Sequence, residues 1–170
     1  MNRIAFIRLL SGFALAGWAG LPRANTLLPP HGKVILTVSG RIGASNVAGQ
    51  ATFDMAMLEA LPQHTFTTQT PWEKEPIRFT GPLLRDVLGL VRATGKEILA
   101  TALNDYQVRI PIDDARRFSV IVAHRLNGQP MQVRDRGPLF IVYPFDSQPE
   151  LKSMRYYERS IWQVRRLTIE

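Results

Sequence analysis

The side chains able to do chemistry are few and scattered. Three histidines, His31, His64 and His124, lie far apart in the chain. None has a partner at the short spacing of zinc sites, so they do not by themselves build a metal site. His124 ends an apolar run and reads as a structural histidine. The chain has no cysteine, which excludes disulfides, thiolate catalysis, iron–sulfur clusters and thiolate-bound metals. There is no Gly-x-Ser-x-Gly elbow for a hydrolase. Gly40-Arg41-Ile42-Gly43 lacks the Gly-Lys-Ser/Thr that would make it a phosphate loop. Glu73/Glu75 and Asp113-Asp114 are carboxylate pairs, but such near neighbours usually point apart. Both are read as solvated, and no glycosidase pair is assigned. Two polar clusters at strand ends remain: Asn104-Asp105-Tyr106 and Arg134-Asp135-Arg136-Gly137-Pro138. On residue chemistry alone they are turns and a surface ion pair.

The elements that must position these groups centre on residues 66–88. Phe66 to Thr70 is β-prone and stops at Pro71, and Trp72 follows the stop. Ile77 to Thr80 is a second short β-prone run. Gly81-Pro82 is expected to open a helix, with Pro82 at its first position, where the missing N–H costs little. Leu83, Leu84, Val87, Leu88 and Val91 continue at helical spacing. A strand end, a tryptophan and a helix start thus fall together.

The chain has 170 residues, 45% hydrophobic and 21% charged, the balance of a globular domain. Arg3 and Arg8 precede the apolar or small run Leu9 to Leu21, which suits the core of a signal peptide and is short for a membrane span of ~20 residues. The reading is a signal peptide over 1–24, a linker over 25–33 with Pro29-Pro30, and one domain over 34–170. It predicts a periplasmic or otherwise exported protein. Removing residues 1–24 takes away Arg3, Arg8 and Arg23 and leaves 18 basic against 14 acidic residues, so the net charge falls from +7 to +4. The remaining arginines are dispersed rather than set in a basic stripe with aromatics, so no nucleic-acid partner is expected. A small anionic ligand fits the residual charge.

Along the chain, Val34 to Ser39 reads as a first strand and Ala51 to Phe53 as a short one. Asp54 caps a short helix carrying Met57, Leu58 and Leu61, ended by Pro62. Ile98 to Leu103 is a strand, Asn104-Asp105 a turn. Tyr106 to Ile110 alternates, with Tyr106, Val108 and Ile110 on one face. Ser119 to Ala123 and Leu139 to Tyr143 are apolar strands, and Asn127-Gly128 is a reverse turn. Pro149 to Glu158 is a charged helical or irregular excursion. Ile161 to Ile169 closes the chain as one strand, with Trp162, Val164 and Leu167 in the core. Strands and helices do not alternate regularly, so the class is α+β: a β-rich single domain.

The order of certain motifs carries a resemblance. They are Thr68-x-Thr70-Pro71-Trp72, Phe79-Thr80-Gly81-Pro82-Leu83-Leu84, Ala102-Leu103-Asn104-Asp105-Tyr106 with Ile110-Pro111, Gly128-Gln129-Pro130-Met131, residues 137–144, and Ile161-Trp162-Gln163-Val164. In this order the chain resembles the oxidoreductase molybdopterin-binding domain. That is the sulfite oxidase fold, seen also in the catalytic subunit of the bacterial periplasmic methionine sulfoxide reductase. The likeness covers roughly Val34 to Ile169 and is nearest to short, exported, stand-alone members. It implies a mixed domain, a redox role and a molybdenum–pterin cofactor whose metal takes one protein cysteine, four residues before the tryptophan. Thr68 stands in that cysteine's place. The resemblance gives Arg134, Arg136 and Lys152 as candidates for the pterin phosphate and sets Tyr106 near the substrate pocket. Two readings follow. In the first, Thr68, Trp72, Asp105 and Tyr106 surround a molybdopterin-like cofactor served by a membrane redox partner. In the second, the domain is a cofactor-free module whose pocket, with Thr68, Trp72, Tyr106 and Arg136, takes a small ligand or docks a membrane sensor.

Overall fold

The computed structural model describes residues 27–170; the expected signal peptide lies outside them. Residues 27–33 have no regular structure, but the backbone N–H groups of His31 and Gly32 donate to Asp54 Oδ2 at 2.9 and 2.7 Å.

The chain folds into three sheets with a few short helices. A five-stranded sheet runs in the order β2 (Ala51–Phe53), β1 (Leu36–Gly40), β12 (Val164–Ile169), β5 (Glu97–Ala102), β6 (Gln107–Pro111). β1 and β12 pair in parallel, and the other pairs in this sheet are antiparallel. A four-stranded sheet holds β3 (Gln63–Thr68), β4 (Ile77–Pro82), β8 (Arg125–Leu126) and β9 (Gln129–Pro130) in order. A three-stranded sheet holds β11 (Ile161–Trp162), β10 (Phe140–Val142) and β7 (Ile121–Ala123). The helices are α1 (Met55–Glu59), α2 (Leu84–Leu90), α3 (Ile112–Arg117) and α4 (Met154–Arg159).

Several elements form for the local reasons read in the sequence. Asp54 is the N-cap of α1 and accepts the N–H of Met57 at 2.9 Å. Those amide donors also hold its carboxyl below the usual carboxylate range, the Gly32 N–H most of all. Asn127 and Gly128 both take positive φ, 50° and 85°, in the tight turn that joins β8 to β9. In β6 Val108 and Ile110 are buried while Gln107 and Arg109 face out. One continuous core joins the sheets, built around Phe53, Phe79, Phe140, Tyr143, Phe145 and the aliphatic residues between them.

Three expectations need correction. Gly81 and Pro82 do not open a helix: both belong to β4, opposite His64 and Gln63, and α2 begins at Leu84 with Leu83 as its cap residue. The reason is tertiary. A Cβ on Gly81 would lie 2.1 Å from the Val122 carbonyl oxygen, so the glycine is needed for the approach of β7. The His124 N–H donates to the Thr80 carbonyl at 3.0 Å across the same junction. Second, Ile161 to Ile169 is not one strand. Gln163, at φ 56°, breaks it into β11 and β12, which serve different sheets. Third, Asp114 is not solvated: it is 4% exposed beneath α4, while Asp113 faces out.

Candidate functional site

A cleft of about 540 Å³ opens where four segments meet: the loop after β3, the β5–β6 turn, α4 and β11. Its aromatic lining is Trp72, Tyr106, Tyr157 and Trp162. Each is placed by an identifiable local feature. Pro71 follows β3, and Trp72 then packs at 6.0 Å from the Phe140 ring and 6.1 Å from Phe145. Asp105 adopts φ 66°, and the Tyr106 N–H donates to Asn104 Oδ1 at 3.2 Å. This side-chain turn leaves the Tyr106 ring 55% exposed at the mouth. At Gln163 the N–H donates to the Arg136 carbonyl at 3.0 Å and Nε2 to the Val133 carbonyl at 2.7 Å. That bend ends β11 with Trp162 37% exposed at the cleft rather than buried as the sequence suggested. The Trp72 and Trp162 rings meet edge-on at 5.5 Å and 85°, and Trp72 meets Tyr157 at 6.3 Å and 72°. Near-perpendicular rings are a favourable aromatic arrangement and give a walled rather than flat surface.

The α4 wall is fastened from below. Arg159 Nη1 donates to Asp114 Oδ2 at 2.7 Å, and the Tyr143 hydroxyl donates to the same oxygen at 2.8 Å. Burial, with the neighbouring carboxylate, pushes the Tyr143 hydroxyl far above its ordinary pKa, so it stays a donor. Met154, Tyr157 and Glu158 of this helix line the cleft.

Thr68 is elsewhere. Its side chain is fully buried and its hydroxyl is used on both sides. Thr68 Oγ1 accepts the Asp146 N–H at 3.0 Å and donates to Asp146 Oδ2 at 3.3 Å. The Gln69 N–H donates to the same carboxylate oxygen at 2.6 Å, and Lys152 Nζ pairs with Oδ1 at 2.7 Å. Lys152 first, then the Gln69 amide, hold the Asp146 carboxyl below its ordinary range, and Asp146 in turn raises the Lys152 ammonium. The corner is a closed hydrogen-bonded knot.

Of the residues singled out in the sequence, Trp72, Asn104 and Tyr106 come together in the cleft. Asp105 turns away to pair with Arg165. Arg134 is exposed beside Asp135. Arg136 pairs with Glu73 at 2.5 Å, its guanidinium carbon 5.7 Å from the Trp162 ring centre. The sequence reading missed Tyr157, Glu158 and Met154. The one signal for them was the helix-compatible run 154–159, whose partner Asp114 lies 45 residues from Arg159.

A β-rich domain with a cleft at the strand ends is the class this geometry defines. A family model for the oxidoreductase molybdopterin binding domain matches residues 35–145. The chain belongs to that family, whose domain binds molybdopterin. No curated protein matches it.

The residues of this chain do not fit a protein-ligated molybdenum–pterin group. There is no cysteine, and the hydroxyl of Thr68, which the resemblance sets at the cysteine's position, is buried and bonded both to the N–H and to the carboxylate of Asp146. Among the described residues no lysine or arginine lines the cleft to receive a phosphate. Nor do three or more His, Asp or Glu gather there as a metal cluster.

Proposed function

We propose that this protein is an exported, cofactor-free member of the molybdopterin-binding-domain family, with the sulfite oxidase fold, that binds a small ligand in the Trp72–Tyr106–Trp162 cleft. The observation that carries the reading is Thr68. A fully buried hydroxyl that accepts the Asp146 N–H and donates to the Asp146 carboxylate is held in place by the fold, and a neutral alkyl hydroxyl is a poor replacement for a soft thiolate on molybdenum. The cleft is a concave, mostly apolar site with four aromatic rings, of the size that holds small molecules. On this reading the Thr68 corner serves as a structural tie to Asp146.

The test is metal and pterin analysis of the full chain produced in a molybdenum-replete host that exports it. The expected result is neither component near one per chain, with the protein in the periplasmic fraction. Stoichiometric molybdenum and pterin would overturn this reading in favour of a redox role.

A further inference from the structure

Resting on the cofactor-free reading, we propose that the cleft recognises an organic cation: an amine or quaternary ammonium group with a compact apolar body. Two independent features point there. The first is the aromatic wall. Trp72 stands at 72° to Tyr157 and at 85° to Trp162 rather than parallel to either, and Tyr106 closes the mouth. Ring faces carry negative electrostatic potential and attract cations, tryptophan most strongly, and boxes of such rings are how proteins hold quaternary ammonium groups. The Trp162 ring already attracts one cation, the Arg136 guanidinium 5.7 Å from its centre. Glu73 balances that charge at 2.5 Å, so it does not oppose a second cation in the cleft.

The second feature is charge. Glu158 is the single charged residue among the described residues that line the cleft, and it has no ion-pair partner among them. Three nearby cations are otherwise engaged: Arg159 with Asp114, Arg165 with Asp105, Lys152 with Asp146. Arg155 does not line the cleft and instead borders an adjoining open depression with Tyr106, Glu158 and Arg159. A carboxylate among aromatic rings, with no basic residue in the lining, selects against the anion that net charge alone suggested. The neutral aromatic surface takes the apolar body of the ligand, and Glu158 supplies the counter-charge.

Three probes sharing one branched alkyl body decide the matter: choline, its neutral isostere 3,3-dimethylbutan-1-ol, and the anion 3,3-dimethylbutanoate. Calorimetric titration of the full chain at low and moderate salt is expected to show choline bound at least ~10-fold more tightly than the alcohol, with the anion weakest. Glu158→Gln is expected to weaken choline ~3–10-fold and leave the alcohol unchanged, and Tyr106→Ala to weaken choline with the fold intact by circular dichroism. Both side chains are exposed, so neither substitution threatens folding. Equal or tighter binding of the alcohol or the anion, loss of both ligands alike in Glu158→Gln, or no binding of any probe overturns the cation preference. The first two of these outcomes leave a cofactor-free ligand module standing. Stoichiometric molybdenum and pterin in the same preparation removes that reading instead.

Discussion

Thr68→Val isolates the hydroxyl on which the assignment turns. Valine keeps the branched shape at a fully buried position, so no cavity opens. Two hydrogen bonds to Asp146 disappear: the one accepted from its N–H at 3.0 Å and the longer one donated to Oδ2 at 3.3 Å. The carboxylate keeps the Gln69 N–H and Lys152, so it is not stranded. The Asp146 N–H loses its partner, which sets a cost of about 1.5 kcal/mol from typical values for one neutral bond and one weak charge-assisted bond. For a chain of this size that corresponds to a fall of ~3–6 °C in Tm. In an Asp146→Ala background the same substitution should cost ~0.5–1 kcal/mol less, since the bond to the carboxylate is already absent. Binding in the Trp72–Trp162 cleft should be unchanged, because Thr68 does not line it. Thr68→Cys places its thiol in the same closed socket and should load no molybdenum. Urea and thermal denaturation with the double-mutant cycle measure the first set, and metal analysis the second. A Thr68→Val protein as stable as the parent, or a Thr68→Cys protein carrying stoichiometric molybdenum, would refute the structural role of the hydroxyl.

Two further outcomes follow from the same contacts. Arg159→Leu leaves Asp114 buried with the Tyr143 hydroxyl alone; because Arg159 is about one quarter exposed, the expected loss is at the low end for a broken buried pair, ~2–4 kcal/mol in urea. It should also weaken ligand binding in the cleft, since α4 loses its anchor. Acid is expected to destabilise through Asp54 and Asp146, whose folded carboxyls sit below their ordinary values. Their contribution is complete above the unfolded pKa near ~4 and is lost as pH falls through the folded values. Asp146→Asn should therefore be less stable than the parent at neutral pH and converge with it in acid, as a pH series of denaturation midpoints would show.

Much of the fold was legible where the signal is local. Asp54 as a cap, Asn127-Gly128 as a turn and the alternation through Val108 and Ile110 each depend on a few adjacent residues, and each formed as expected. What failed depended on distant partners. Gly81 looks like a helix opener until the backbone of β7 arrives beside it. Asp114 looks solvated until Arg159 reaches it. Residues 161–169 have an unbroken β-prone composition, and only the bonds from Gln163 to Arg136 and Val133 show why the strand must bend there. The site divided in the same way. Trp72, Asn104 and Tyr106 stood out as an aromatic and polar group at strand ends, whereas the α4 wall is defined by where the helix docks. Arg134 and Arg136 were singled out for charge and turned out to be committed to Asp135 and Glu73.

The position of β12 has a consequence for how the chain is made. It lies between β1 and β5 in the five-stranded sheet, yet it follows both in synthesis by more than 60 residues. Until residues 164–169 leave the ribosome, β1 and β5 each have an open edge and the principal sheet has no centre. Strand pairings this far apart in sequence form late and slowly. A nascent chain therefore cannot close its main sheet ahead of time, and it stays threadable until its final strand is available. Under the export proposed above, that delay would favour an unfolded polypeptide during passage and folding on the far side.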